Sequence, residues 1–186
     1  MSRGITPSQT AGPFLHIGML WPDGPTVVDA DTPGALWIGG RILDGAGDVV
    51  ADALVETWQA DAAGRFASSE DPRGAIDGFR GWGRCETDAD GGWRIRTVKP
   101  GPVPGPDGAP QAPHIDVTLH ARGLLRQLFT RIYFADEREA NAVDPVLTGL
   151  PDDAARRSLL ATPTDGGYAI DILLQGGDDA TCFFDV

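Results

Sequence analysis

The sequence predicts an all-β protein: a β-sandwich core with mixed strand topology, an extended N-terminal arm and one or two short helices. Apolar and polar residues alternate in short runs such as 114–120, which places three aliphatic side chains on one face of a strand. The 25 glycines and 15 prolines fall mostly between these runs, where they act as turn residues. About eight short strands separated by turns are typical of a sandwich. We find no internal repeat, so residues 1–186 are predicted to form one domain.

The first element is an arm, residues 1–33, which has few periodic features. Its prolines favour an extended backbone, and its apolar residues are too few to build a core of their own. A frayed terminus is the common alternative for such a segment. The density of apolar side chains from residue 14 to residue 20 favours docking of the arm against another surface.

The strands that follow are each bounded by Gly- or Asp-rich turns. They are predicted at 35–43, 53–58, 82–87, 93–98, 114–120, 128–134, 168–174 and 181–184. Helix-like runs occupy 135–142 and 151–160, the second with Pro151 at its start and acidic residues in its first turn. The polar loop 67–81 is long for a compact domain, so we expect it to be functional or to cover part of the molecule.

Composition excludes several classes of function. The 15 basic and 27 acidic residues give a net charge of -12, and an acidic chain repels phosphate backbones. No run approaches the roughly 20 apolar residues of a membrane span, and the N-terminus has no apolar signal segment. Cys85 and Cys182 are too isolated for a disulfide framework or a zinc motif. We expect a cytoplasmic protein with reduced thiols that binds neither nucleic acid nor membrane.

A candidate metal site lies on the polar face of the strand 114–120. His114, Asp116 and His120 share this face, and two histidines with one carboxylate suit Fe(II) or another divalent ion. His120 lies six residues beyond His114, however, which is about 20 Å along a strand. One ion cannot bind both histidines, so this triad fails on geometry.

Five ordered motifs resemble those of the intradiol ring-cleavage dioxygenases, nearly from end to end. They are 6–13 (TPSQTAGP), 55–61 (VETWQAD), 97–101 (TVKPG), 112–115 (APHI) and 130–134 (TRIYF), with 182–185 (CFFD) closing the chain. The resemblance implies a β-sandwich and a non-haem Fe(III) enzyme assembled from α and β chains, of which this chain resembles the α type. The implied reaction opens 3,4-dihydroxybenzoate with O2, between its hydroxyl-bearing carbons, to 3-carboxy-cis,cis-muconate.

The resemblance also implies that two tyrosines and two histidines hold the iron, and this chain retains only one of them. The tyrosine positions read Phe66 and Val103, the second histidine position reads Asp116, and His114 is retained. Phe and Val have no donor atom, so no local rearrangement restores the site. The arginine expected three residues before the first histidine is Gln111. Fe(3+) is therefore expected on the β chain and not on this chain.

The implied contribution of this chain is to complete the substrate pocket of the iron-bearing β chain. Thr10, Gly12 and Pro13 suit a wall of backbone and small side chains beside a flat aromatic ring. Arg131 suits the substrate carboxylate, because its planar guanidinium can bind both oxygens. Without the family match, Arg131 would more simply form a surface ion pair.

Two other functions stay open from the sequence. One is a stand-alone ring-cleaving enzyme, which the missing tyrosines argue against; the other is a non-catalytic β-sandwich binding or structural module. We expect His114 to be hydrogen-bonded inside its pocket, to Asp116 or to Gln111. His16, next to the wall of the arm, is expected to be an interface residue.

Overall fold

The computed structural model describes residues 7–74, 77–105, 108–177 and 180–185. These residues form strands and four short helices. The side chains of Pro13 and His16 lie outside the described residues, as do residues 1–6 of the predicted arm. The helices are α1 (Pro13–Met19), α2 (Arg138–Val143), α3 (Pro145–Gly149) and α4 (Asp153–Arg157). None of these helices is long and apolar enough to cross a membrane.

The strands follow the order of the sequence. They are β1 (Ala35–Leu43), β2 (Leu54–Trp58), β3 (Trp82–Glu86), β4 (Gly92–Val98), β5 (Val103–Pro104), β6 (Pro110–Gln111), β7 (His114–His120), β8 (Leu128–Phe134), β9 (Leu160–Thr164), β10 (Gly167–Ala169) and β11 (Ile172–Leu173).

One mixed sheet of nine strands nearly closes on itself as a barrel. Its strand order is β11-β1-β10-β9-β8-β7-β2-β3, and β4 pairs with β1 in antiparallel orientation. Pairing is parallel where β1 meets β10 and β11, and where β8 meets β9. The strands β5 and β6 form a separate two-stranded ribbon. The predicted all-β class and mixed topology are therefore confirmed.

Strand β7 has the alternation that its sequence predicts. Ile115, Val117 and Leu119 lie in the main core with at most 1% of their surface exposed. Burying such aliphatic side chains contributes about 1.5–3 kcal/mol each, which fixes the register of the strand. The opposite face of β7, which starts with His114 and Asp116, is thereby directed away from the main core.

The C-terminal strands are shorter than predicted. The predicted strand 168–174 is divided into β10 and β11, and both pair with β1. Between them the backbone N–H of Arg41 donates to the Asp171 carboxylate, at 2.8 Å, in place of a backbone carbonyl. The predicted strand 181–184 contributes only a single bridge, from Phe184 to Phe129.

Helices are more numerous than predicted. The predicted runs 135–142 and 151–160 overlap α2 and α4, whereas α1 and α3 were not expected. Helix α3 begins because Asp144 caps its first turn and Pro145 occupies its first position. The predicted arm is not extended throughout, since it contains α1. Pro13 is compatible with this helix because it lies in the first turn, where a helix tolerates proline.

Candidate functional site

The two tyrosine-position residues lie on segments that pack against each other, Phe66 in a loop and Val103 at the start of β5. Gly64, just before Phe66, has a φ of +73°, and a Cβ there would collide with the carbonyl oxygen of Pro102. This close approach requires glycine and brings Phe66 toward the loop that leads to Val103. The Phe66 ring stacks on Trp58 with centroids 6.0 Å apart, and Val103 is buried.

The retained histidine lies at the start of β7 and is 8% exposed. Nδ1 of His114 is 2.8 Å from the carbonyl oxygen of Ala112, so the expected bond to Asp116 or Gln111 is replaced by one to the backbone. Burial and, secondarily, the positive charge of Arg131 lower the pKa of His114. Its imidazole is therefore neutral at pH 7.

Arg131 lies opposite Asp116 in the β7–β8 pair and binds three side chains. Its Nε donates to Oδ1 of Asp116 at 2.8 Å, and its Nη1 donates to Oε1 of Gln111 at 2.6 Å and to the Tyr133 hydroxyl at 3.4 Å. The Arg131 side chain is 22% exposed. The surface ion pair considered from the sequence is thus present, but as one contact of a partly buried cluster.

A buried carboxylate, Asp144, lies behind this cluster and has no exposed surface. It accepts hydrogen bonds from the Tyr133 hydroxyl at 3.2 Å, from Ala112 N at 2.8 Å, and from Val146 N and Leu147 N at 2.9 Å. These four donors offset the cost of burying the charge. Burial raises the pKa of Tyr133, so its hydroxyl stays protonated and can donate to Asp144.

Tyr133 and Asp144 are not among the site residues predicted from the sequence. Tyr133 belongs to the 130–134 motif and lies two residues after Arg131, which puts both on one face of β8. Asp144 directly precedes Pro145, and an Asp-Pro pair of this kind is typical of a helix start. Both signals were therefore present in the sequence.

Replacing Asp144 with alanine is expected to lower the free energy of unfolding by about 3 kcal/mol, because several buried donors lose their acceptor. Denaturant unfolding of the isolated chain measures this loss. The matched control is Asp152→Ala, which removes an exposed cap with a single bond, from Ala155 N, at 2.8 Å. Loss of that cap costs about 1 kcal/mol, so equal losses in the two variants would contradict the role given to Asp144.

Arg131 also forms part of the wall of a surface cleft of about 480 Å³. The lining includes Asp116 on the same side and the apolar side chains of Phe129, Val146 and Phe184. Within the described part of the chain, Nη2 of Arg131 has no hydrogen-bond partner. The guanidinium therefore keeps a donor for an anion that enters this cleft.

Thr10, the first predicted wall residue, does not lie beside Arg131 in the single chain. Its Oγ1 accepts a hydrogen bond from Gly123 N at 2.7 Å, in the turn after β7. Asp116, the partner of Arg131, lies four residues before the end of β7, which is about 13 Å back along the strand. A shared role of Thr10 and Arg131 in one pocket therefore stays a prediction for an assembly of chains.

The other predicted arm residues lie at the start of α1. Gly12 is the N-cap of this helix and Pro13 opens it; the side chains of Pro13 and His16, as noted above, are not among those described. The end of α1 is held to the sheet, since Arg84 Nη1 donates to the Met19 carbonyl at 2.9 Å. Helix α1 is thus fixed to the rest of its own chain on both sides, through Thr10 before it and through Met19 at its end.

The four ligand positions do not provide a metal site. Phe66 and Val103 have no donor atom, and the Asp116 carboxylate is bonded to Arg131. His114 alone supplies a free ring nitrogen at these positions. Among the described residues, no group of three or more His, Cys, Asp or Glu side chains could hold a metal ion. The donors that this chain presents therefore do not fit the Fe(III) of the resembled family.

The sequence of the chain is similar to those of known dioxygenases. The family described as "Dioxygenase" matches residues 14–176. The chain is 41% identical to the protocatechuate 3,4-dioxygenase alpha chain of Pseudomonas putida, over 97% of this chain and 96% of that one. It is 39% identical to the protocatechuate 3,4-dioxygenase beta chain of Burkholderia cepacia, over 76% of this chain and 64% of that one.

Solved structures share the fold. The dioxygenase domain of a dioxygenase carbohydrate-binding protein fusion from Streptomyces sp. SirexAA-E aligns with a TM-score of 0.61 and 27% identity. The alignment covers 92% of this chain and 100% of that domain. The nearly closed mixed sheet is therefore an architecture that the chain shares with a dioxygenase.

Proposed function

The chain belongs to the intradiol dioxygenase family, and from this premise we propose that it is the α subunit of a two-chain enzyme, one that binds no iron itself. We call the positions of Phe66, Val103, His114 and Asp116 the degenerate pocket. The observation that carries the proposal is that this pocket has lost its iron donors and has a guanidinium bound to one of its residues. Iron donors are missing there, while Arg131 occupies the same region and faces a cleft. The similarity to an alpha chain over nearly the whole length supports this reading.

We infer that the substrate is 3,4-dihydroxybenzoate, which the assembled enzyme opens with O2 to 3-carboxy-cis,cis-muconate. Fe(3+) would be held by the β partner, where it would supply the oxygen chemistry. The part of this chain is to bind and orient the substrate, because the guanidinium of Arg131 suits a planar carboxylate. A chain with a net charge of -12 also needs a local positive group to accept an anion.

Assembly with the partner would use the arm. Phe14 and Ile17 on α1 are 83% and 72% exposed, although both are large and apolar. Exposed apolar side chains on a helix that is fixed at both ends are typical of an interface. We place the assembly in the cytoplasm, because Cys85 and Cys182 are free thiols.

The double variant Phe14→Asp/Ile17→Asp is expected to weaken association with the β chain at least tenfold, since two charges would be buried at the interface. Sedimentation or size-exclusion chromatography of the mixed chains measures this. Phe14→Leu/Ile17→Leu is the matched control, because it keeps the helix apolar, and it should assemble normally. Normal assembly of the aspartate variant would contradict the docking role of α1.

The activity itself is tested by producing the chain alone and together with an iron-bearing β chain of this family. We expect O2 uptake with 3,4-dihydroxybenzoate, and formation of the carboxymuconate, only in the complex. Ring cleavage by the chain alone would instead identify it as a stand-alone enzyme. A well-assembled complex without ring cleavage would favour a non-catalytic module.

A further inference from the structure

We propose that Gln111 and Asp116 are positioning residues, which hold the guanidinium of Arg131 in the orientation that receives a substrate carboxylate. The inference rests on the function proposed above and extends it to residues that the sequence marked only as losses. It is supported by the contacts of Arg131, by the chemistry of the two side chains and by the support behind them.

Both departures from the family pattern contact the same group. The resemblance implies an arginine at the position of Gln111 and the second histidine ligand at the position of Asp116. In the fold, Oε1 of Gln111 is 2.6 Å from Nη1 of Arg131, and Oδ1 of Asp116 is 2.8 Å from its Nε. The two substitutions are therefore parts of one arrangement around a single guanidinium.

The residues that the resemblance implies at these two positions would not provide the same pair of oxygen acceptors. An arginine at position 111 would bring a second guanidinium toward Arg131 and would offer it no acceptor. A neutral histidine at position 116 would offer one nitrogen acceptor and no negative charge. Gln111 and Asp116 instead provide an amide oxygen and a carboxylate oxygen on neighbouring nitrogens of the fork.

The guanidinium of Arg131 is held by buried residues on one side, and its side chain lines a cleft on the other. Tyr133 accepts the third contact from Arg131, at 3.4 Å, and donates to the buried Asp144. Because Asp144 is itself fixed by three backbone N–H groups, the position of the Tyr133 hydroxyl is well defined. Nη2 of Arg131 has no partner among the described residues, and it belongs to the side chain that lines the 480 Å³ cleft.

Positioning and simple charge balance make different predictions for Asp116. If Asp116 acts as an acceptor that orients Nε, asparagine should replace it, because its amide oxygen can accept the same bond. If Asp116 acts only through its charge, asparagine and leucine should behave alike. At Gln111, leucine removes the acceptor and keeps a side chain of similar size.

The experiment uses the assembled αβ enzyme with Asp116→Leu, Asp116→Asn, Gln111→Leu or Arg131→Leu in this chain. Steady-state kinetics give KM and kcat for 3,4-dihydroxybenzoate and for catechol, which lacks the carboxylate. Calorimetric binding of 4-hydroxybenzoate and of phenol provides a readout that does not depend on turnover. Iron content and sedimentation confirm that each variant is assembled.

We expect Asp116→Leu and Gln111→Leu each to raise KM for 3,4-dihydroxybenzoate about tenfold, the effect of losing one hydrogen bond to a charged group. In the same two variants, KM for catechol should change less than about twofold. The KM of Asp116→Asn for 3,4-dihydroxybenzoate should stay close to that of the unsubstituted enzyme. Binding of 4-hydroxybenzoate should be weakened in the two leucine variants and nearly unchanged in Asp116→Asn.

Unchanged or lower KM values for 3,4-dihydroxybenzoate in both leucine variants, while Arg131→Leu discriminates between the two substrates, would overturn the positioning role alone. Equal effects of Asp116→Asn and Asp116→Leu on KM for 3,4-dihydroxybenzoate would also overturn the positioning role. Failure of Arg131→Leu to discriminate would overturn the proposed carboxylate site together with this inference.

Discussion

Replacing Arg131 with leucine in the assembled enzyme is expected to raise KM for 3,4-dihydroxybenzoate about 100-fold and to change KM for catechol by less than about threefold. The guanidinium would bind the substrate carboxylate through charge-assisted hydrogen bonds, and their combined loss is worth about 3 kcal/mol. Catechol has no carboxylate and so loses nothing at this position. Parallel kinetics with the two substrates measure the difference.

Two control variants make this test specific. Arg131→Lys keeps the positive charge and loses the planar fork, so we expect an intermediate KM for the carboxylated substrate. Arg157→Leu removes the same charge from an exposed position on α4 and should leave both KM values unchanged. If Arg131→Leu affected both substrates equally, Arg131 would not be the carboxylate-binding residue.

The architecture followed from the sequence because burial on one face of each strand imposes a period of two. The run 114–120 is the clearest case, since its three aliphatic residues are all in the core. The division of β10 from β11 was not predictable in this way. It depends on a bond between Arg41 and Asp171, which are 130 residues apart in sequence.

The short helices escaped prediction for a related reason. Helices α1 and α3 have seven and five residues, too few to display an amphipathic period. Helix α3 depends instead on its cap, Asp144, whose other contacts come from β8 and from the segment before β7. A signal of one Asp-Pro pair carries little weight in a sequence until that packing is known.

The candidate site was predicted in its parts but not in its arrangement. Arg131 was selected from its motif, and Gln111 and Asp116 were recognised as departures from the family. Their convergence on one guanidinium depends on the register between β7 and β8, which pairs Asp116 with Arg131. That register depends on the hydrophobic pattern of both strands and on the turn between them, so neither strand alone specifies which residue lies opposite Asp116.

This arrangement gives the degenerate pocket a physical interpretation. A metal site would require donors at positions 66, 103, 114 and 116, and it would place a cation among them. In this chain the only cationic group bound to residue 116 in the described structure is the guanidinium of Arg131. We interpret the substitutions as the replacement of a metal-binding function by an anion-binding one.

The second large effect concerns iron. The chain purified alone is expected to contain less than about a tenth of an equivalent of iron, because one imidazole cannot retain Fe(III) without further donors. The complex with the β chain should contain about one iron per αβ pair. The variant His114→Gln is a control within this chain: if His114 is not a ligand, iron content of the complex should be the same with either residue.

The iron content and visible spectrum of the chain, purified alone and as the αβ complex, therefore test the central claim most directly. The account predicts a colourless, iron-free chain, and a complex with stoichiometric iron and the absorption band of tyrosinate bound to Fe(III). Stoichiometric ferric iron in the isolated chain, or loss of iron from a fully assembled His114→Gln complex, would contradict it.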